Sequence, residues 1–112
     1  MSAEMLWTPL AQTSQIPLNE GRAIAVEGRE VAVFHLEDRF VTIDNRCPHK
    51  GGPLCDGIVA GSVVVCPLHG RRFDLDSGAA VRASEPVCVA TFVTRVRDGI
   101  VQAQLEHPRR VF

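Results

Sequence analysis

Two short segments of this 112-residue chain hold residue types that bind metals. Cys47-Pro48-His49 is followed, after residues 50–65, by Cys66-Pro67-Leu68-His69. Residues two apart in extended chain project to the same side, and a Cys-x-x-His turn aims both side chains at one centre. Each segment offers one thiolate and one imidazole, with a proline stiffening the approach. Two soft thiolates and two imidazoles suit a tetrahedral zinc ion. They also suit an iron–sulfur cluster in which two histidines replace two cysteines on one iron. Zinc sites usually group like ligands, whereas each pair here is mixed. Two facing arms of this kind deliver the thiolates to one iron and the imidazoles to the other, a division that a single zinc ion does not require.

The remaining chemistry-bearing residues read more simply. Cys55 is expected as a semi-buried loop residue and Cys88 as core packing, so no disulfide is expected. His35 alternates with Phe34 and Leu36 as a surface strand residue. His107, Arg109 and Arg110 belong to a polar tail. Lys50, Arg71 and Arg72 flank the two arms; they are either ordinary solvated charges or a basic rim for docking on the acidic face of a redox partner. Neither a Walker motif nor Gly-x-Gly-x-x-Gly is present, so the chain is not expected to bind NAD or another nucleotide.

The residues around the arms resemble a known family. Cys47-Pro48-His49-Lys50-Gly51-Gly52-Pro53-Leu54 and Cys66-Pro67-Leu68-His69-Gly70 are similar to the two boxes of the Rieske [2Fe–2S] motif. Arg72-Phe73-Asp74-Leu75-Asp76-Ser77-Gly78 resembles the strand and turn after the second box. The resemblance implies an all-β, Rieske-like fold. An antiparallel base, residues 1–44 and 81–112, would carry an inserted cluster-binding subdomain, residues 45–80, of two loops and a small sheet. It implies one [2Fe–2S] cluster, with Cys47 and Cys66 on the inner iron and His49 and His69 on the exposed outer one.

Within the family, the run from Cys47 through Asp56-Gly57-Ile58-Val59 most resembles the Rieske-type small subunit of NAD(P)H-dependent assimilatory nitrite reductase. That likeness implies an electron-transfer subunit, not catalytic alone, working with the large nitrite reductase subunit. Ferredoxins of ring-hydroxylating dioxygenases are the nearest relatives, with a flavin reductase and a terminal dioxygenase as the implied partners. A zinc-stabilised binding module with no redox role is the alternative of another class.

Rieske proteins of respiratory bc complexes add a disulfide between the boxes; here the corresponding positions are Gly52 and Leu68. Those proteins also use a tyrosine hydroxyl near the sulfurs, and this chain contains no tyrosine. Fewer hydrogen bonds to sulfur mean a lower potential. Voltammetry is therefore expected to give a midpoint nearer about −150 mV than about +300 mV, and a value well above zero overturns this.

Short β-type segments must carry the two arms. Residues 23–26 and 31–36 flank Gly28, and residues 40–44 follow, with Val31, Val33, Val41 and Ile43 at period two. Residues 89–97 and 100–105 flank Asp98-Gly99, a strong hairpin signal, although the alternation from Thr91 to Arg97 is imperfect. One helical turn is expected after Pro9, at residues 10–12. Between the two β-rich ends, Pro48, Gly51, Gly52, Pro53, Gly57, Gly61, Pro67 and Gly70 exclude central sheet. That stretch is expected to form two loops, residues 45–56 and 66–74, joined by a hairpin whose second strand is residues 62–65. The fold class is all-β.

Composition narrows the partners. Lys plus Arg number 12 and Asp plus Glu 13, a formal net charge of −1. So balanced a chain lacks the electrostatic footprint of a nucleic-acid or membrane-surface binder. Hydrophobic residues at 46% and charged residues at 22% describe a folded domain. With no apolar run long enough for a bilayer and no basic leader, a cytoplasmic protein is expected. Thiols there are reduced, and a cysteine set binds metal or reacts rather than forming disulfides.

Overall fold

Valines and isoleucines at alternate positions make the strands, and the turns between them set the order of the sheets. The structure, a computed structural model, describes residues 6–47, 52–68, 70–81 and 87–106. Its strands are β1 (Thr8–Gln12), β2 (Gly21–Val26), β3 (Arg29–His35), β4 (Phe40–Asp44), β5 (Ile58–Ala60), β6 (Val63–Val65), β7 (Arg72–Asp74), β8 (Thr91–Phe92), β9 (Thr94–Arg97) and β10 (Ile100–Ala103). Three antiparallel sheets result, in the orders β1-β10-β9, β2-β3-β4-β8 and β5-β6-β7. The all-β expectation holds. Among the described residues no helix is long and apolar enough to cross a membrane.

β3 is the centre of the packing. Val31, Ala32, Val33 and Phe34 are all fully buried, because both faces of this strand are covered. Val31 packs with Ala90, Phe92, Ala103 and Leu105, and Val33 with Ile16 and Val101, on the side of the first sheet. Ala32 and Phe34 face the other way, into a core shared with Val64 and Phe73 of the third sheet. That core also holds Cys47, Leu54, Cys66 and Leu75. The third sheet is thus seated on the second through one continuous apolar layer. At the periphery Arg39 ties the β3–β4 turn to the third sheet, with Asp76 oxygens at 2.7 Å and Ser62 Oγ at 3.3 Å. This pair is solvent-exposed and adds little stability.

Five expectations are corrected. Residues 10–12 are not a helical turn: they lie in β1, which pairs with β10, and the turn of 3-10 helix comes later, at Thr13–Gln15. Cross-strand pairing outweighs the local proline signal. Residues 89–97 are not one strand. The chain breaks at Val93, where β8 leaves its pairing with β4 and β9 joins β10 in another sheet. Thr94 Oγ1 stitches the crossing, donating to the Phe92 carbonyl at 2.8 Å and meeting Thr42 Oγ1 at 2.9 Å. The imperfect alternation marked this change of sheet. The second expected loop ends in strand β7, because the fully buried Phe73 is drawn into the shared core. His35 is half-buried rather than a surface residue: Nδ1 lies 2.8 Å from the Ile16 carbonyl and the ring stacks on Phe40. Cys88 is likewise only half-buried, bridging to Ala79.

Candidate metal centre

Both cysteines of the two arms stand at the base of a loop closed in the same way. Cys47 follows β4 by three residues, and its N–H donates to the Gly52 carbonyl at 2.8 Å. Cys66 follows β6 directly, and its N–H donates to the Arg71 carbonyl at 2.7 Å. In each case the bond spans five residues and brackets, in the chain, one histidine. A further bond, from the Gly70 N–H to the Cys66 carbonyl at 3.0 Å, tightens the second loop. Cys47 is 2% exposed and Cys66 1%, both within the apolar core beside Leu54, Val64 and Phe73.

Gly52 joins the two loops. A Cβ placed there would lie 2.9 Å from Leu68 Cγ and Cδ1 and 3.4 Å from Cys66 Sγ. Its carbonyl holds Cys47, and a side chain at this position would press on Leu68 and the thiol of Cys66, so the close approach of the two loops favours glycine. Soft donors are therefore presented on a dry floor from two touching loops. A thiolate in such a place is costly unless a metal ion supplies positive charge. The residues present fit a thiolate-bound metal group.

The remaining sequence candidates are distributed as follows. His49, Lys50 and His69 lie outside the described residues, as do His107, Arg109 and Arg110. Among the described residues no three metal-binding side chains converge, and both candidate imidazoles fall outside them. Arg71 is half-buried and Arg72 exposed on β7. Arg46, unremarked in the sequence, is an exposed cation one residue before Cys47.

Cys55 is half-buried, as expected, in the 3-10 turn Leu54–Asp56. Burial pushes its thiol above the ordinary range, with Asp56 and Glu30 adding to the rise and a hydrogen bond from Asn45 opposing it. A thiol held protonated is a poor metal ligand. Cys55, Cys66 and Cys88 form no disulfide.

Sequence reasoning missed Asn45. Its side-chain oxygen accepts from the Cys55 N–H at 2.7 Å. Its amide nitrogen donates to Glu30 Oε1 at 2.8 Å and to Cys55 Sγ at 3.2 Å. Its place directly after a strand, where Asx side chains bond local backbone, was the available signal.

Residues 6–104 match the Rieske-like [2Fe-2S] domain family. The chain is 29% identical to the ferredoxin component of the naphthalene 1,2-dioxygenase system of Pseudomonas aeruginosa, over 88% of this chain and 95% of that protein. Among solved structures, the Sphingomonas yanoikuyae B1 ferredoxin superposes with a TM-score of 0.80 at 28% identity, covering 90% of this chain and 98% of that one. A Mycobacterium tuberculosis protein assigned as an NADH-dependent nitrite reductase small subunit gives a TM-score of 0.79 at 26% identity, covering 89% and 95%.

Proposed function

The chain belongs to the family of Rieske-like [2Fe–2S] domains, and we propose that it relays single electrons as the small subunit of an NAD(P)H-dependent nitrite reductase. Its cofactor is a Rieske-type [2Fe–2S] cluster rather than a zinc ion. In this reading Cys47 and Cys66 hold one iron and His49 and His69 the other. Residues 45–80 form the cluster-binding subdomain, inserted into a base of residues 1–44 and 81–112. When bound, the cluster accepts and returns one electron at a time.

The observation that carries the reading is the pair of matching loop closures, with their thiols buried and with Gly52 of the first loop packed close to the Leu68 and Cys66 side chains of the second. The chain's own part is to hold two sulfurs away from water, with the proposed histidine ligands two and three residues further along the chain. Leu68, 54% exposed, and the exposed Pro53 and Pro67 give that approach an apolar surface. Arg46 and Arg72 stand exposed in the same two segments, with Arg71 and Lys50 beside them in the chain. These cations would steer the protein onto an acidic face around a partner's redox centre. The double variant R71E/R72E is expected to keep its visible absorbance but to lose about tenfold in electron-transfer rate at low salt, with a flattened salt dependence. An unchanged rate dismisses the rim.

The partner is proposed from the run Cys47 through Val59, which resembles the nitrite reductase small subunit. The likeness to the M. tuberculosis structure supports it. A second reading, the ferredoxin component of a ring-hydroxylating dioxygenase system, is favoured by the curated relatives in sequence. Affinity-tagged protein purified from its native cells separates them. Recovery of a large flavin- and sirohaem-containing subunit supports the first, and recovery of a flavin reductase or terminal oxygenase replaces it with the second.

A further inference from the structure

We propose that Asn45 is the positioning residue of the first cysteine loop, acting through the bridge its buried side chain makes to Glu30 and Cys55. The inference rests on the reading that Cys47 and Cys66 hold the cluster.

Asn45 is the residue after β4 and is 5% exposed. Its backbone N–H donates to the Glu30 carbonyl at 3.1 Å, carrying the β3–β4 ladder one step beyond the strands. Its side-chain amide then reaches two elements at once. One proton of Nδ2 faces Glu30 Oε1 on the neighbouring strand, the other faces Cys55 Sγ, and Oδ1 takes the Cys55 N–H. Few side chains other than asparagine supply two donors and an acceptor from so short a stem. A buried amide satisfied at three points is rigid, and costly to leave half-bonded.

The geometric consequence is a second closure outside the first. The inner one, from the Cys47 N–H to the Gly52 carbonyl, shapes the loop. The outer one, between Asn45 and Cys55, fixes where the loop comes back. Only Pro53 and Leu54 separate Cys55 from Gly52. Leu54 is fully buried with Cys47 and Cys66, and Gly52 is the residue whose missing side chain leaves room for Leu68 and Cys66 Sγ. Pinning Cys55 therefore sets both the floor beneath the thiols and the contact between the loops, although Asn45 itself is not among the ligands. Supporting contacts of this kind tune a metal site through the orientation of its ligands.

The test exchanges the two partners. Asn45→Asp keeps the size and the acceptor for the Cys55 N–H, but sets a carboxylate against Glu30 and withdraws the donor from Cys55 Sγ. It is expected to shift the midpoint potential and the g values of the reduced protein, and to speed loss of visible absorbance to a chelator about tenfold. Glu30→Gln alone still accepts from Asn45 and is expected to behave as wild type. The double variant N45D/E30Q restores the bond between positions 45 and 30 with the amide and carboxylate exchanged, keeps the acceptor for the Cys55 N–H and lets the Cys55 thiol donate to the carboxylate, and is expected to recover the wild-type spectrum and lifetime. A variant N45D that melts earlier yet keeps the wild-type potential and g values overturns the proposal, since the role would then be stability alone. Failure of the double variant to recover overturns it as well. If N45D does not accumulate folded, Glu30→Ala, which removes one arm without new charge, carries the test: a smaller shift in the same readouts supports the proposal and none overturns it. Wild-type protein lacking the spectrum of a histidine-ligated cluster would instead sink the ligand assignment beneath it.

Discussion

Cys66→Ser protein is expected to be colourless, with iron falling from about two atoms per chain to none. Cys66 is 1% exposed, and serine fills its place with almost no change in volume. The loop closure to Arg71 uses the backbone N–H and survives the exchange. What is lost is the soft, charged donor: a serine hydroxyl stays protonated near neutral pH and is a poor partner for iron next to sulfide. Cys47→Ser is expected to act in the same way, being 2% exposed in the same core. His49→Ala and His69→Ala should alter the reduced-state spectrum, since they would remove a ligand from the other iron. Cys88→Ser serves as the control and should retain full colour, because Cys88 is half-buried and lies in neither of the two cysteine loops. Cys66→Ser protein with undiminished visible absorbance and iron would overturn the ligand assignment. Loss of colour in the Cys88→Ser protein as well would show only that the fold is fragile. Circular dichroism in the far ultraviolet separates the cases, since the β1–β10 and β2–β3–β4 pairings do not pass through Cys66.

The contrast between Cys66 and Asn45 shows what sequence can reveal about such a site. A metal dictates residue type and spacing, so Cys47-Pro48-His49 and Cys66-Pro67-Leu68-His69 announce themselves along the chain. Asn45 answers to no such code: its partners are a carboxylate fifteen positions back and a backbone N–H ten positions on. Only the folded β3–β4 ladder brings them together. Gly52 and Leu68 lie between these cases. Their positions were legible as those at which some relatives place a disulfide, but that they pack directly on one another is visible only in three dimensions. The strands follow the same division. The Asp98-Gly99 hairpin is local, with both residues at positive φ, and was legible. The break at Val93 reflects which sheet each side of the chain joins, a long-range choice between β4 and β10. Likewise Pro9 carries a helix-start signal that pairing with β10 overrides.

Gly78→Ala is expected to be strongly destabilising although it adds a single methyl group. Gly78 is buried, has φ of 80°, and lies where the turn after β7 passes the segment leading into β8. Its N–H donates to the Asp74 carbonyl at 2.7 Å, and its own carbonyl accepts from the Val89 N–H at 2.8 Å. A Cβ there would collide with the Val89 carbonyl oxygen and lie 3.0 Å from Thr91 Cγ2. The obstructing oxygen is backbone and cannot swing aside as a side chain would. Relief requires the β7 turn to move off the chain that enters β8, which means parting the third sheet from the second. Overpacking of this kind costs about 1–3 kcal/mol, and the left-handed backbone adds ~1 kcal/mol for any residue with a Cβ. For a domain of this size the sum corresponds to a fall in melting temperature on the order of 10 °C or more. Gly61→Ala isolates the contact, because Gly61 has φ of 62° with nothing within 4 Å of the added carbon. It should cost only ~1 kcal/mol, the backbone contribution. Equal melting temperatures for the two variants would show that the β7 turn yields without resistance. A much lower one for G78A would place the junction of the two sheets at Gly78. The Asp74 carboxylate, which accepts from the N–H groups of Asp76 and Ser77 at 2.8 and 3.0 Å, holds that turn rigid and leaves it little freedom to yield.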